Sequence, residues 1–142
     1  MNSNDNRVSN LRGDVLIVDD TVANLKLLAD MLTAEGLKVR PANSGELAMS
    51  SIELRPPDLI LLDVRMPGMD GYEVCRRLKA NKETRDIPVI FVSALDDGQA
   101  RAKGFQVGGV DFINKPFLKE EVIARVRTHL ELHRLRQKVA SL

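Results

Sequence analysis

The chain has 142 residues, a length that predicts one domain with room for a core that needs no disulfide or metal staple. Apolar residues make up 44% and charged residues 29%, which excludes disordered and fibrous classes, and the single cysteine, Cys75, excludes an intramolecular disulfide framework. The net charge of +1 hides an asymmetry: from Arg125 onward five cations face Glu131 alone, a net of +4, which leaves the first 124 residues at −3.

The polar stretch Met1 to Gly13 lacks the apolar segment of a signal peptide, and residues 1–12 are expected to form a disordered arm. Asp14–Val18 and Leu59–Leu62 carry continuous apolar runs, the pattern of strands buried on both faces of a parallel sheet. Both runs are too short to span a bilayer, so a cytoplasmic protein with no membrane contact is expected. Leu37–Ala42 and Val89–Ser93 are shorter strand candidates, and Asp111–Ile113, after Gly108-Gly109, is a fifth.

Helical periods fill the gaps. Val22, Leu25, Leu28, Ala29 and Leu32 form an apolar stripe that stops at Gly36. Ser44 can cap a helix carrying Leu47, Ala48, Ser51 and Ile52 inward, and Pro56-Pro57 terminates it. Gly71–Ala80 turns Val74, Cys75 and Leu78 inward, Asp97–Gly104 is a short helix, and a last helix begins at Leu118. Five β-then-α units imply an open parallel sheet covered on both faces, and the doubly wound order 2-1-3-4-5 is among the few topologies right-handed crossovers allow. In that order, ligands bind at the carboxyl ends of the strands, beside strands 1 and 3.

Asp19-Asp20 follow strand 1 and Asp63 ends strand 3. A single Asp after a strand reads as a cap or turn residue, but three converging carboxylates repel one another unless a cation neutralises them, and oxygen-only donors suit magnesium. The loop after strand 1 offers no glycine-rich amides to hold phosphate, so a cation is expected there first. Ser93 near the end of strand 4 and Lys115 before Pro116 lie at the same edge, where a hydroxyl and an ammonium can share the charge of a phosphoryl group.

The segments Val15–Asp20, Asp58–Gly71, Val89–Ala94 and Asp111–Phe117, in this order and spacing, resemble the receiver domains of two-component response regulators over about residues 13–130. The resemblance implies a flavodoxin-like fold in which Asp63 accepts a phosphoryl group from a histidine kinase or histidine phosphotransfer protein. It implies Mg2+ held by Asp20, Asp63 and the backbone carbonyl of Arg65, with Asp19 as a second acidic ligand or one acting through water. Lys115 would pair with phosphoryl oxygens, its peptide with Pro116 would be cis, and Ser93 would bind the phosphoryl group. The responding surface would be helix 4, strand 5 and helix 5, coupled through Ser93 and Phe112. Many family members carry tyrosine at that second position; Phe112 lacks the hydroxyl and is expected to rest inward. The chemistry expected is magnesium-dependent self-phosphorylation and self-dephosphorylation, not turnover of a separate substrate. A phosphohydrolase of the haloacid dehalogenase type is the alternative, but it needs Asp-x-Asp at the nucleophile strand, and Arg65 stands where the second Asp would be. A receiver-like module that signals without phosphorylation is a third reading, against which no acidic or lysine position is lost.

The final helical pattern continues past the receiver. Leu132, Leu135, Val139 and Leu142 follow at 3-4-3 spacing, a short a/d seam. Residues 131–142 are expected to extend helix 5 into a homodimer contact or a linker to an output domain in a longer protein. His129 and His133 are four apart, without a third ligand, and are expected to be solvent-exposed rather than a metal pair. Cys75 is expected to be buried in its helix. No DNA-reading module is left over, so direct nucleic-acid binding is not expected.

Overall fold

The computed structural model describes residues 11–94 and 98–142. Five strands, β1 (Asp14–Val18), β2 (Lys38–Ala42), β3 (Leu59–Asp63), β4 (Val89–Ala94) and β5 (Asp111–Lys115), alternate with five helices, α1 (Val22–Thr33), α2 (Gly45–Leu54), α3 (Gly71–Ala80), α4 (Gly98–Gln106) and α5 (Lys119–Ala140). The sheet runs β2-β1-β3-β4-β5, and every neighbouring pair is parallel. This is the doubly wound order expected from the sequence.

Alternation along the strands splits the core into two layers. Leu16, Val18, Ile60, Leu62 and Phe91 face α2, α3 and α4, meeting Ile52, Val74, Cys75 and Leu78. Val15, Ile17, Leu59, Leu61, Val92 and Ile113 face α1 and α5, meeting Leu25, Leu28, Leu32, Val122, Val126 and Leu130. Every residue of β3 is buried, as its central place demands. The side chain of Ser44 caps α2 by accepting from the Leu47 N–H at 3.1 Å, and Asp70 caps α3 by accepting from the Glu73 N–H at 2.9 Å.

Several expectations need correction. Val22 and Leu47, assigned to inward stripes, are exposed: Val22 opens α1 one turn before its first buried residue, Leu25, and Leu47 lies about 100° round α2 from the buried face of Gly45, Ala48 and Ile52. Leu118 precedes α5 as its N-cap rather than opening it. Asp97 and residues 1–10 of the expected arm lie outside the described residues, while Leu11 is buried in the layer beneath α1 and α5. The two histidines are not solvent-exposed. His133 is 6% exposed and its Nδ1 has no partner, and His129 directs Nε2 to Asp111 Oδ2 at 2.9 Å. Both share the side of α5 that docks on the body, which periodicity through a basic segment conceals.

Candidate functional site

Strand register builds the site. Val18 pairs with Leu62, so Asp19 follows β1 beside Asp63 at the end of β3. Asp63 in turn pairs with Val92, and Ala94 pairs with Lys115, which brings Ser93 and the lysine to the same edge. Asp19, Asp20 and Asp63 each offer a carboxylate oxygen, all within 4.8 Å of one another. Asp19 and Asp63 are buried, while Asp20 faces solvent.

Lys115 ties the buried pair together, its Nζ lying 3.3 Å from Asp19 Oδ2 and 3.3 Å from Asp63 Oδ1. Burial foremost, then the Asp19 charge, pushes the Asp63 pKa from 3.8 up to about 6; Lys115 and the Arg65 backbone N–H pull the other way. Burial alone would lower the Lys115 pKa, but the two carboxylates outweigh it and raise it. The Lys115–Pro116 peptide is cis. Ser93 is buried, with its hydroxyl 3.4 Å from the Ala94 carbonyl. Phe112 is turned inward and fully buried, between Phe91 at 5.5 Å and Phe105 at 5.3 Å between ring centroids.

The structure thus gathers Asp19, Asp20, Asp63, Ser93 and Lys115 at one edge and sets Phe112 deeper, on β5. Two residues that the sequence reading missed also shape the site. Asn24, in the first turn of α1, donates from Nδ2 to Asp19 Oδ2 at 3.2 Å, while the Thr21 N–H donates to Oδ1 at 2.8 Å, so both Asp19 oxygens are oriented. Gly71 is the second: a Cβ there would lie 2.2 Å from the Asp63 carbonyl oxygen, so only glycine lets α3 start directly against the backbone of Asp63. An Asn five positions after Asp19 was the available signal for the first. The second is a close approach between two backbone segments and has no local signature.

The donor set fits magnesium. It is all oxygen, holds three carboxylates, and keeps one of them at the solvent edge, where a reluctantly dehydrated ion can retain water. Burial of Asp63, with the Asp19 charge second, raises its pKa, and a cation at the cluster would oppose both effects.

A parallel α/β sheet carrying an acidic cluster and a lysine at the carboxyl edge of its central strands defines a class of phosphoryl-accepting domain. Residues 15–127 match the family model for the response regulator receiver domain, and the chain belongs to that family. It is 45% identical over 131 residues to the response regulator PleD of Caulobacter vibrioides, an alignment covering 89% of this chain and 29% of PleD. It is 40% identical over 116 residues to the DNA-binding dual master transcriptional regulator RpaA of Synechocystis, covering 82% of this chain and 48% of RpaA. Among solved structures, NtrX from Brucella abortus superposes with a TM-score of 0.86 at 30% identity, over 92% of this chain and 29% of NtrX. The chain therefore spans less than half the length of these relatives. As a receiver domain it belongs to a family of phosphorylation-dependent signalling switches. Among the described residues no helix is long and apolar enough to cross a membrane.

Proposed function

We propose that Asp63 is the phosphoacceptor, taking its phosphoryl group from a phosphohistidine on a kinase or phosphotransfer protein. The observation that carries this reading is the single ammonium of Lys115 shared between Asp19 and Asp63 at 3.3 Å each, a lysine already held where phosphoryl oxygens would arrive. An Asp63 carboxylate oxygen attacks phosphorus, the P–N bond to the donor imidazole breaks, and the imidazole leaves with a proton from solvent. Lys115 exchanges its carboxylate contacts for the phosphoryl oxygens, and the buried Ser93 hydroxyl donates to another of them. Asp20, Asp63 and the Arg65 carbonyl would hold Mg2+, with Asp19 directly or through water; when bound it supplies the positive charge that lets two anions approach. Water attacking the same phosphorus from the opposite side reverses the modification.

The added charge of up to about −2 then draws Ser93 and its strand toward the site and changes the packing of Phe112, altering the surface of α4, β5 and α5. The relatives' greater length supports a chain that continues into an output domain beyond α5, with residues 13–130 as the receiver and 131–142 as the helical link.

Intact mass after incubation with acetyl phosphate tests the chemistry. We expect a gain of one phosphoryl group with magnesium, none with chelator, and none in Asp63→Ala. A gain that persists in Asp63→Ala would move the acceptor elsewhere, and no gain under any condition would favour a module that signals without phosphorylation.

A further inference from the structure

A cleft runs between α3 and α4, on the face of the sheet opposite α1 and α5. One part, about 610 Å³, opens beside the loop after β3 and is lined by Arg65, Pro67, Asp70, Tyr72 and Lys103. A second part, about 620 Å³, shares Lys103 and continues to Arg76, Lys79, Ala80 and Val107. Two contacts hold the walls together: Tyr72 Oη donates to the Ala100 carbonyl at 3.1 Å, and the Cys75 thiol to the Val107 carbonyl at 3.4 Å. The cleft is thus formed before any partner arrives, which spares part of the ordering cost of binding. Among the described residues its walls carry four cations, Arg65, Arg76, Lys79 and Lys103, against Asp70 alone, which is already engaged as the cap of α3. Arg76 shares Glu73 with Arg77. The Lys79 ammonium donates to the Arg85 and Ile87 carbonyls at 2.9 and 2.8 Å, and that of Lys103 lies 4.5 Å over the Tyr72 ring, contacts that neutralise neither charge. Together α3 and α4 hold five cations against Glu73, within a body whose first 124 residues total −3. An anionic partner is therefore favoured at this face over the rest of the body.

We propose that this cleft docks an acidic, extended peptide segment of a partner protein. The cations are strung along the cleft rather than gathered at one point: Arg65 precedes α3, Arg76 and Lys79 follow along it, and Lys103 stands across on α4. A single phosphate needs converging donors, whereas a row of cations suits carboxylates repeated along a chain. The ten residues of α3 rise about 15 Å, the length of roughly four or five residues of extended chain. In such a chain alternate side chains point to opposite sides, so acids can meet the cationic walls while apolar residues settle on Pro67, Ala80 and Val107. Single-stranded nucleic acid fits less well. It binds by stacking bases on exposed rings, and Tyr72, the one ring among the described lining residues, is 8% exposed with Lys103 over it. The docking does not rest on phosphorylation of Asp63. It is measured on the unmodified chain, so its failure leaves the phosphoacceptor reading untouched.

The probe is an acetylated octapeptide of alternating glutamate and leucine with a terminal fluorescein, titrated with the full chain and read by fluorescence anisotropy. We expect saturable binding that weakens severalfold between about 50 and 300 mM salt, and no binding of the same peptide with glutamine in place of glutamate. Lys103→Glu should weaken binding about tenfold and Lys103→Gln about threefold, while Lys26→Glu, the same charge change at an exposed site on α1, should cost less than about twofold. Circular dichroism checks that each variant folds. In nuclear magnetic resonance spectra the peptide should shift amide signals of α3 and α4 and leave those of α1 in place. Absence of saturable binding, equal losses in Lys103→Glu and Lys26→Glu, or signal shifts centred outside α3 and α4 would overturn the proposal. So would tighter binding of a fluorescein-labelled octathymidylate than of the peptide.

Discussion

At the scale of single residues, two buried titratable groups pull stability in opposite directions along the pH axis. Burial and Asp19 raise the Asp63 pKa from 3.8 to about 6, so the folded protein binds more protons than the unfolded chain between those values. The stability this group contributes is complete below about pH 4 and lost as pH rises through about 6, a difference of at most about 3 kcal/mol. Asp63→Asn removes the charge and keeps the shape. In chelator we expect it to melt higher than the parent at neutral pH, with the gap closing near pH 4 in a series of thermal melts; a lower melting temperature at neutral pH would refute the account of a charge held unfavourably by burial and by Asp19. His133 runs the other way. Burial lowers its pKa, Asp58 and Asp86 partly oppose this, and Nδ1 has no partner. A histidine that binds protons more weakly when folded costs stability as pH falls through its unfolded value of about 6.5. His133→Leu should therefore flatten the profile as pH falls through about 6.5, while Asp63→Asn flattens it between about pH 4 and 6.

At the scale of elements, α4 rests on an aromatic row rather than on a long apolar stripe. Tyr72 meets Phe91 at 5.6 Å, Phe91 meets Phe112, Phe112 meets Phe105, and the Arg101 guanidinium lies 5.5 Å over the Phe112 ring. Gly104 makes the inward position of Phe112 available, since a Cβ there would stand 2.4 Å from Phe112 Cζ and 2.9 Å from Phe91 Cδ2. Gly104→Ala should therefore cost about 1–3 kcal/mol in denaturant unfolding, and Phe112→Leu in the same chain should recover part of it. Additive losses in that double-mutant cycle would mean the two residues do not share the space. The contrast with the strands explains what the sequence disclosed. β1 and β3 are buried on both faces, so hydropathy alone marks them. Val22 and Leu47 stand beside inward residues in helical period, yet the period cannot tell which side or which turn of each helix meets the sheet. For His129 and His133, what decided burial was the docking of α5 on Asp111 and on the body, a contact between distant segments.

The whole molecule gives the acidic cluster its place, because the winding direction reverses between β1 and β3 and leaves their carboxyl ends side by side. Asp19, Asp20, Asp63 and Lys115 were legible from sequence for that reason: each ends a strand or stands within two residues of its end, and the crossover rules constrain the strand order. Asn24 and Gly71 were not, since their contributions are a side-chain bond to Asp19 and a backbone approach to Asp63 that exist only once the helices are seated. Metal binding should report on this arrangement as a unit. A ligand that binds only the folded state stabilises it by RT ln(1 + [L]/Kd), so saturating magnesium should raise the melting temperature, and chelator should reverse the rise. The carboxylates must be ionised to bind, and Asp63 loses its proton near pH 6. The magnesium-induced shift should therefore be large at neutral pH and shrink as pH falls through about 6, whereas a cluster with ordinary carboxylate pKa values would keep its shift down to about pH 4. Asp63→Asn should lose most of the response, and Lys115→Met should keep it, because the ammonium competes with the ion for the same two oxygens. A magnesium shift that is independent of pH between about 7 and 5, or one that survives in Asp63→Asn, would place the cation away from the acidic cluster.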